Sequence, residues 1–337
     1  MFVSQIKTIR SRLVLGAMAA VFLAFPSNLF AQSSPLTVQP STGHVGVGIG
    51  NTNPSETLDV DGTVKATSFK GDGSQLTNLP GSGADVQIFT TPGANTWTKP
   101  ANAKLVYVWS IGGGQGGESG RRGANSSARG GGQGGAAGSA NAGWFMGSSL
   151  NATETVTVGT GGLGGAAVTV DSTNGQNAGN GSASSLGGWL SADGGFSDYG
   201  CQDCDINGGS GGGTSNFTPA VYGAHTAHGG DGGSITSGNV SGAGGSGAPG
   251  SVEAGGAAGA IGNNGGAGAA APANTARSGG GGGGGGAGVA AGGAGGAGAN
   301  GATYGAGGGA GGASRNGSNS GKGGDGAPGI VIVIATF

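Results

Sequence analysis

The chain is short of charge, aromatics and cysteine, and each shortage closes a class of function. Charged residues are 8% of 337, the net charge is −2, and the pI is near 5.8. No basic stripe exists to track a nucleic-acid backbone, and no basic run to hold an anionic membrane surface. There are three histidines, His44, His225 and His228, and none stands in a nucleophile elbow with Ser or Cys. Gly-x-Gly-x-x-Gly recurs through composition alone, without a βαβ frame, and Gly321-Lys322-Gly323 lacks the spacing and Ser/Thr of a phosphate loop. The sequence therefore argues against an enzyme, a cofactor, or a nucleic-acid partner.

Cys201 and Cys204 are the only cysteines, in the spacing C-x-x-C. In an oxidising compartment the pair reads as a small disulfide loop. A redox motif would want a βαβ context, which is missing. A zinc site would need His225 and His228 to complete it. Asp193, Asp198, Asp203 and Asp205 could serve calcium as loop oxygens, but a solvated loop is the plainer reading.

Only one long apolar run is present. Lys7, Arg10 and Arg12 precede Leu13 to Phe25, and Leu29-Phe30-Ala31 offers a cut before Gln32. This is the pattern of a signal peptide over 1–31, and the run is shorter than the roughly 20 residues a membrane span needs. Export follows, with no membrane span in the mature chain and a secreted or bacterial cell-surface location.

What the chain has in excess is glycine: 89 residues, 50 of them between Gly208 and Gly329. They fall into triplets such as Gly292-Gly293-Ala294, Gly295-Gly296-Ala297 and Gly298-Ala299-Asn300, and the frame resets after Tyr304. A period of three fits neither an amphipathic helix nor a strand; it fits a polyproline-II-type helix. Such a helix has no internal hydrogen bonds, so the tract is either a floppy linker or a bundle of polyglycine-II helices bonded sideways. Insertions such as 214–219 and Ser314-Arg315-Asn316 would be turns between helices. Proline is too scarce and the frame too broken for collagen.

Around the tract lie strand signals. Residues 32–43 form a polar lead-in without pattern. Over 44–80, Val45, Val47 and Ile49 alternate with glycine, and Leu58-Asp59-Val60 and Thr63-Val64-Lys65-Ala66 flank a hairpin-type Asp61-Gly62. Its few apolar residues are too small a core to stand alone, which predicts stabilisation by identical chains. After a linker at 81–85, further strands are expected at Val86 to Phe89, Thr96 to Thr98, Leu105 to Ile111, Trp144 to Met146, Thr155 to Val158 and Ser184 to Leu190. Ile330 to Ile334, apolar on both faces, predicts a buried central strand beside Leu105 to Ile111.

Val47 to Ala66, continued by Gly71-Asp72-Gly73-Ser74-Gln75-Leu76-Thr77-Asn78-Leu79, resembles a module of bacterial surface fibres and phage tail fibres. That resemblance implies an intertwined β-stalk, often a homotrimer. Phe89 to Trp97, Leu105 to Gly114, Val156 to Gly165 and Gly326 to Val333 resemble the glycine-rich domain of phage tail-tip adhesins and bacterial surface proteins. Here the resemblance implies a β-sandwich base with polyglycine-II loops whose turns form a recognition tip. The export signal favours a bacterial surface or matrix protein over a virion component.

The expected fold class is thus mainly β: a short β-stalk at 44–80, then a glycine-rich domain at 86–337. That domain comprises a small β-sandwich base (86–206 and 330–337) and polyglycine-II-like loops (208–329), with no substantial helix outside the signal peptide. The expected function is an adhesin-like surface fibre recognising a cell-surface glycan or protein. Alternatives are a self-associating surface-layer or matrix protein, and an ice-binding protein. Phe217, Tyr222 and Tyr304 are the candidate ligand contacts, as rigid amphipathic rings in glycine-rich loops. The same rings could instead plug the bundle ends.

Overall fold

The apolar segment that closes the chain organises the β base. In a computed structural model, which describes residues 36–48, 53–67, 83–196, 227–274, 277–289 and 292–337, the chain divides into two units, Met1–Thr77 and Asn78–Phe337.

In the first unit, β1 (Leu36–Val38), β2 (Val45–Val47) and β3 (Leu58–Val60) form one sheet in the order β1-β2-β3. Two expectations are corrected here. The lead-in was expected to lack pattern, yet Leu36–Val38 pairs antiparallel with β2. The hairpin around Asp61-Gly62 does not form: β3 pairs in parallel with β2, and Thr63 to Ala66 is not a strand. Asp61 donates its N–H to the Val47 carbonyl, which continues the β2–β3 ladder past the turn dipeptide. Leu36, Val38, Leu58 and Val64 are all more than half exposed, so the described residues of this unit bury little of their own apolar surface.

In the second unit, β13 (Ile330–Thr336) lies between β4 (Ala84–Phe89) and β6 (Leu105–Ile111), and β8 (Ala140–Met146) flanks β6. All three pairings are antiparallel, and β13 matches β6 from Ile330↔Ile111 to Thr336↔Leu105. This is the predicted neighbour. A second antiparallel sheet has the order β11-β10-β9-β5, built from β5 (Gly93–Thr98), β9 (Thr153–Val158), β10 (Ser184–Leu186) and β11 (Leu190–Ala192). Ser184 to Leu190, expected as one strand, is a hairpin end; Gly187 at φ +48° makes the turn.

The two sheets close on a shared core. Val106, Val108, Val331 and Val333 from one meet Trp97, Val156, Val158 and Leu186 from the other. The opposite face of β13 and β6 carries Ile330, Ile332, Trp109 and Ile111. That is why the closing segment is apolar at every position: period-2 alternation vanishes when both faces are covered.

Among the described residues of the second unit, the long segments outside the two sheets form a bundle of backbone runs. The run 112–120 continues β6 outward, and its backbone reveals the bundle. Gly112, Gln115 and Glu118 donate N–H to Ser139, Ala136 and Gln133; Gly113, Gly116 and Ser119 donate to Ser182, Gly179 and Gln176; Gly114, Gly117 and Gly120 donate to Ala327, Gly324 and Gly321. These nine bonds are 2.8–3.1 Å long. Successive residues serve three different neighbours, and every third residue serves the same one. That is the bonding of a polyglycine-II-type threefold helix.

Among the described residues three runs are wholly surrounded. The 112–120 run also accepts bonds from Gly162 and Gly165, from Gly308 and Gly311, and from Gly195, giving six neighbours. The 278–288 run donates to 304–313, 263–269 and 242–248, and accepts from 256–262, 230–233 and 296–302. The 305–313 run donates to 227–233, 115–121 and 296–299, and accepts from 282–288, 132–138 and 321–327. The central run 278–288 and a marginal run differ in side-chain content. Gly279 to Gly286, at the centre, is glycine throughout. Among the described residues the marginal run 254–262 bonds to three others, and it carries exposed Ala257, Ala258, Ala260 and Ile261.

The glycine-rich tract was expected to begin at 208. The bundle in fact recruits 112–120, 131–139, 159–168 and 175–183 as well, from segments expected to belong to the base. Short Ser/Thr/Gln insertions hid their period.

Close approach explains the composition. A Cβ on Gly283 would sit 2.0 Å from the Ala257 carbonyl oxygen, inside any van der Waals contact. Nothing lies within 4 Å of a Cβ on Gly188, in the β10–β11 turn. Gly283→Ala should therefore cost about 3 kcal/mol or more of unfolding free energy. Gly188→Ala should change it by less than about 0.5 kcal/mol. Chemical denaturation of the two variants beside the parent checks the contrast.

Candidate functional site

Polar side chains inside the bundle complete its backbone accounting. Where a run has no neighbour to take an N–H, a side chain does. Ser234 Oγ accepts from Gly131 N, Asp231 Oδ1 from Gly134 N, Gln115 Oε1 from Ala136 N, and Asp325 Oδ1 from Gly164 N, all at 2.8–3.1 Å. Buried donors left unpaired cost about 1–3 kcal/mol each, so these residues stand in for absent helices and are not surface decoration.

Glu118 is the extreme case, 5% exposed on a central run. Burial pushes its carboxyl up to about 7, against a lowering from the Gln133 N–H and with a further rise from the Asp231 charge. A carboxyl raised on folding holds its proton better in the folded chain. Its contribution is therefore greatest below the unfolded value, near 4.5, and falls as pH rises through 7. At about 1.4 kcal/mol per unit, stability should drop by roughly 3 kcal/mol between pH 4.5 and 8 from this group alone. Glu118→Gln should flatten that slope in urea titrations across the range.

The turns at the end of the bundle away from the β base form the candidate site. Runs 112–120, 159–168 and 305–313 leave the base and turn at 121–130, 169–174 and 314–319, and the 235–241 turn joins them through the Arg129↔Ile235 bridge. The turns are interlocked. β7 (Arg122–Gly123) pairs in parallel with β12 (Ser314–Arg315), and Arg122 also bridges Thr173. Asn316 Oδ1 accepts from Ser172 N, and Asn239 Oδ1 accepts from both Ser126 N and Arg129 Nη2.

This end concentrates positive charge in a chain that is acidic overall. Arg121, Arg122, Arg129 and Arg315 stand here, four of the seven arginines. Arg122 pairs with Asp171 and donates to the Thr169 carbonyl at 2.6 Å. The Gly317 N–H, and then Arg122, hold the Asp171 carboxyl below the usual range. Burial, with the Arg315 charge beside it, pulls the Arg129 guanidinium below the usual arginine range. The sequence reading missed this cluster: the residues are far apart along the chain, and only the folding of separate turns onto one end unites them.

Tyr304 is corrected as an exposed contact. It is 8% exposed and packs with Trp109, Ile111, Ala140, Ile330 and Ile332, sealing the bundle onto the outer face of the β13–β6 sheet. The turn from 293–302 into 305–313 falls at the base end, over an apolar sheet, so the ring is drawn inward. Gly305 at φ +69° permits the turn where a Cβ would strike Ile111.

Phe217, Tyr222, Cys201, Cys204, His225, Asp198, Asp203 and Asp205 lie outside the described residues. Asp193 uses its main-chain carbonyl for Ser139, and the His228 ring contacts the Gly229 carbonyl. Among the described residues no group of three or more His, Cys, Asp or Glu is arranged to hold a metal ion, and no helix is long and apolar enough to cross a membrane.

Comparison with protein families bears on this architecture directly. The family model of the glycine-rich domain matches residues 90–336. The chain belongs to this family. No curated protein matches it. The matched span of the glycine-rich domain opens in the turn between β4 and β5 and closes within β13, so sandwich and bundle together form the unit recognised.

Proposed function

We propose that this is an exported, non-catalytic surface fibre or adhesin-like protein, and that the far end of the bundle is its recognition tip. One observation carries the reading: a lattice of backbone runs, three of them with six neighbours, leads into the turns 121–130, 169–174, 235–241 and 314–319, with only the small cluster Ile235, Ala287 and Ala313 as side-chain core there. A site whose scaffold is fixed loses little entropy on binding. Its exposed residues include Asn125, Ser126, Asp171, Ser172, Asn174 and Asn316 with Val170 and Val240, beside the half-buried Arg121 and Arg315, a surface suited to a polar glycan or protein ligand. Phe217 and Tyr222 belong to this reading as contact residues. The exposed Leu36, Val38 and Leu58 of the first unit support assembly into a homotrimer, the role of the stalk in this scheme.

The test is attachment of the purified protein to bacterial cells or an immobilised glycan set. Val240→Ser together with Asn316→Ala should reduce attachment severalfold while unfolding stays within about 1 kcal/mol of the parent. Unchanged attachment would remove the tip from the account. In light scattering the parent should run as a trimer; a monomer would contradict the stalk.

Ice binding is a second reading with its own observation. Antiparallel runs 254–262 and 263–271 place exposed Ala257, Ala258, Ala260, Ala267, Ala269 and Ala270 side by side on a repeating backbone. Such a face is regular and weakly hydrated. Thermal hysteresis that is lost in Ala258→Lys would favour it; an absence of hysteresis ends it.

A further inference from the structure

We infer that Arg129 and Arg315 form a subsite for a tetrahedral oxyanion, a sulfate or phosphate group carried by an anionic surface polysaccharide. The inference rests on the recognition reading above and gives that site its ligand chemistry.

The register brings the two arginines together. In the parallel β7–β12 ladder Arg315 stands opposite Gly123, so its side chain shares a face with the position a Gly123 side chain would take. That position is filled by Arg129: a Cβ on Gly123 would lie 2.8 Å from Arg129 Cγ. Gly123 thus makes room for the buried stem of one arginine beside the other. The Arg315 charge acts on Arg129, while Arg122 forms its ion pair with Asp171.

Among the described residues neither Arg129 nor Arg315 forms an ion pair; the pairs there are Arg122–Asp171 and Arg277–Glu253. Their side-chain partners are neutral. Arg129 Nη2 donates to Asn239 Oδ1 at 2.7 Å, and Arg315 Nε donates to Asn125 Oδ1. Arg129 is 0% exposed, and its Nε and Nη1 have no hydrogen-bond partner. A buried, unpaired cation is destabilising, and a second cation beside it adds to the cost. An anion offsets both.

Geometry and residue type then choose the anion. Guanidinium forks present paired N–H groups that match two oxygens of one sulfate or phosphate, which a lysine does not. Arg315, half-buried, meets the anion from solvent. Arg129 beneath it supplies a second charge in a low-dielectric setting, where attraction at short range is strongest.

The experiment uses the full-length protein and begins with inorganic sulfate and phosphate against chloride at equal ionic strength, read by thermal unfolding and calorimetry. Sulfate or phosphate should raise the unfolding temperature beyond chloride, and dextran sulfate should bind where neutral dextran does not. Comparing dextran sulfate with a phosphate-bearing polysaccharide identifies the source of the group. Arg315→Gln should weaken binding about tenfold, the scale of one charge-assisted hydrogen bond. Arg277→Gln, on a turn at the base end, should leave binding unchanged. Arg129→Gln should abolish the anion response; should that variant fold poorly, Arg315→Gln with parental unfolding still decides. Equal responses to sulfate, phosphate and chloride, or parental affinity in Arg315→Gln, overturn the inference. Oxyanion binding without cell attachment would reject the recognition reading alone, and attachment indifferent to Arg315→Gln would reject this inference alone.

Discussion

The structure depends on the hydrogen bond between main chains that carry no side chains at the point of contact. A threefold helix has no internal bonds, so each N–H of 279–288 must find a carbonyl on another run, and each finds one. Ordering glycine is entropically the costliest ordering of any residue. The lattice offsets that cost by giving central runs six neighbours and leaving few buried groups unpaired. In this domain backbone polarity takes the place that hydrophobic burial takes elsewhere.

The β-sandwich supplies what the bundle lacks, a nucleus with side chains. Core residues such as Val106, Val331, Val156 and Trp97 fix two sheets, and strands β6, β9 and β13 feed glycine runs whose starting register is already set. Tyr304 ties a bundle turn back onto the sandwich. The far turns then inherit their positions from the lattice. That is how arginines nearly two hundred residues apart in the chain become neighbours at the tip.

Much of this was legible in the residues, for identifiable reasons. The closing run Ile330 to Ile334 announced a strand covered on both faces, and the triplets of 292–313 announced a threefold helix. The frame break at Tyr304 and the insertion at Ser314-Arg315-Asn316 coincide with turns. Lateral order was not legible. Gly283 bonds to Gly266, but any glycine could have served, because a contact made by backbones leaves no complementary pair of side chains to read. Gln115, Glu118 and Ser119 interrupt the period of 112–120, a stretch glycine-rich in sequence but counted with the base, although each substitutes for or caps a backbone partner. Asp61-Gly62 carried the right dipeptide for a hairpin, and a parallel ladder with β2 prevailed. Tyr304 carried the right residue for a contact, and the apolar sheet beneath it took the ring instead.

Amide hydrogen exchange on the intact protein, resolved to Gly279 to Gly286, tests the central claim most directly. These residues have no side chains and no intrasegment bonds, so only lateral bonding can protect them. The account predicts exchange slowed to the level of Val331 and Val333 in β13. Exchange at the rate of an unfolded chain, with β13 still protected, would contradict it.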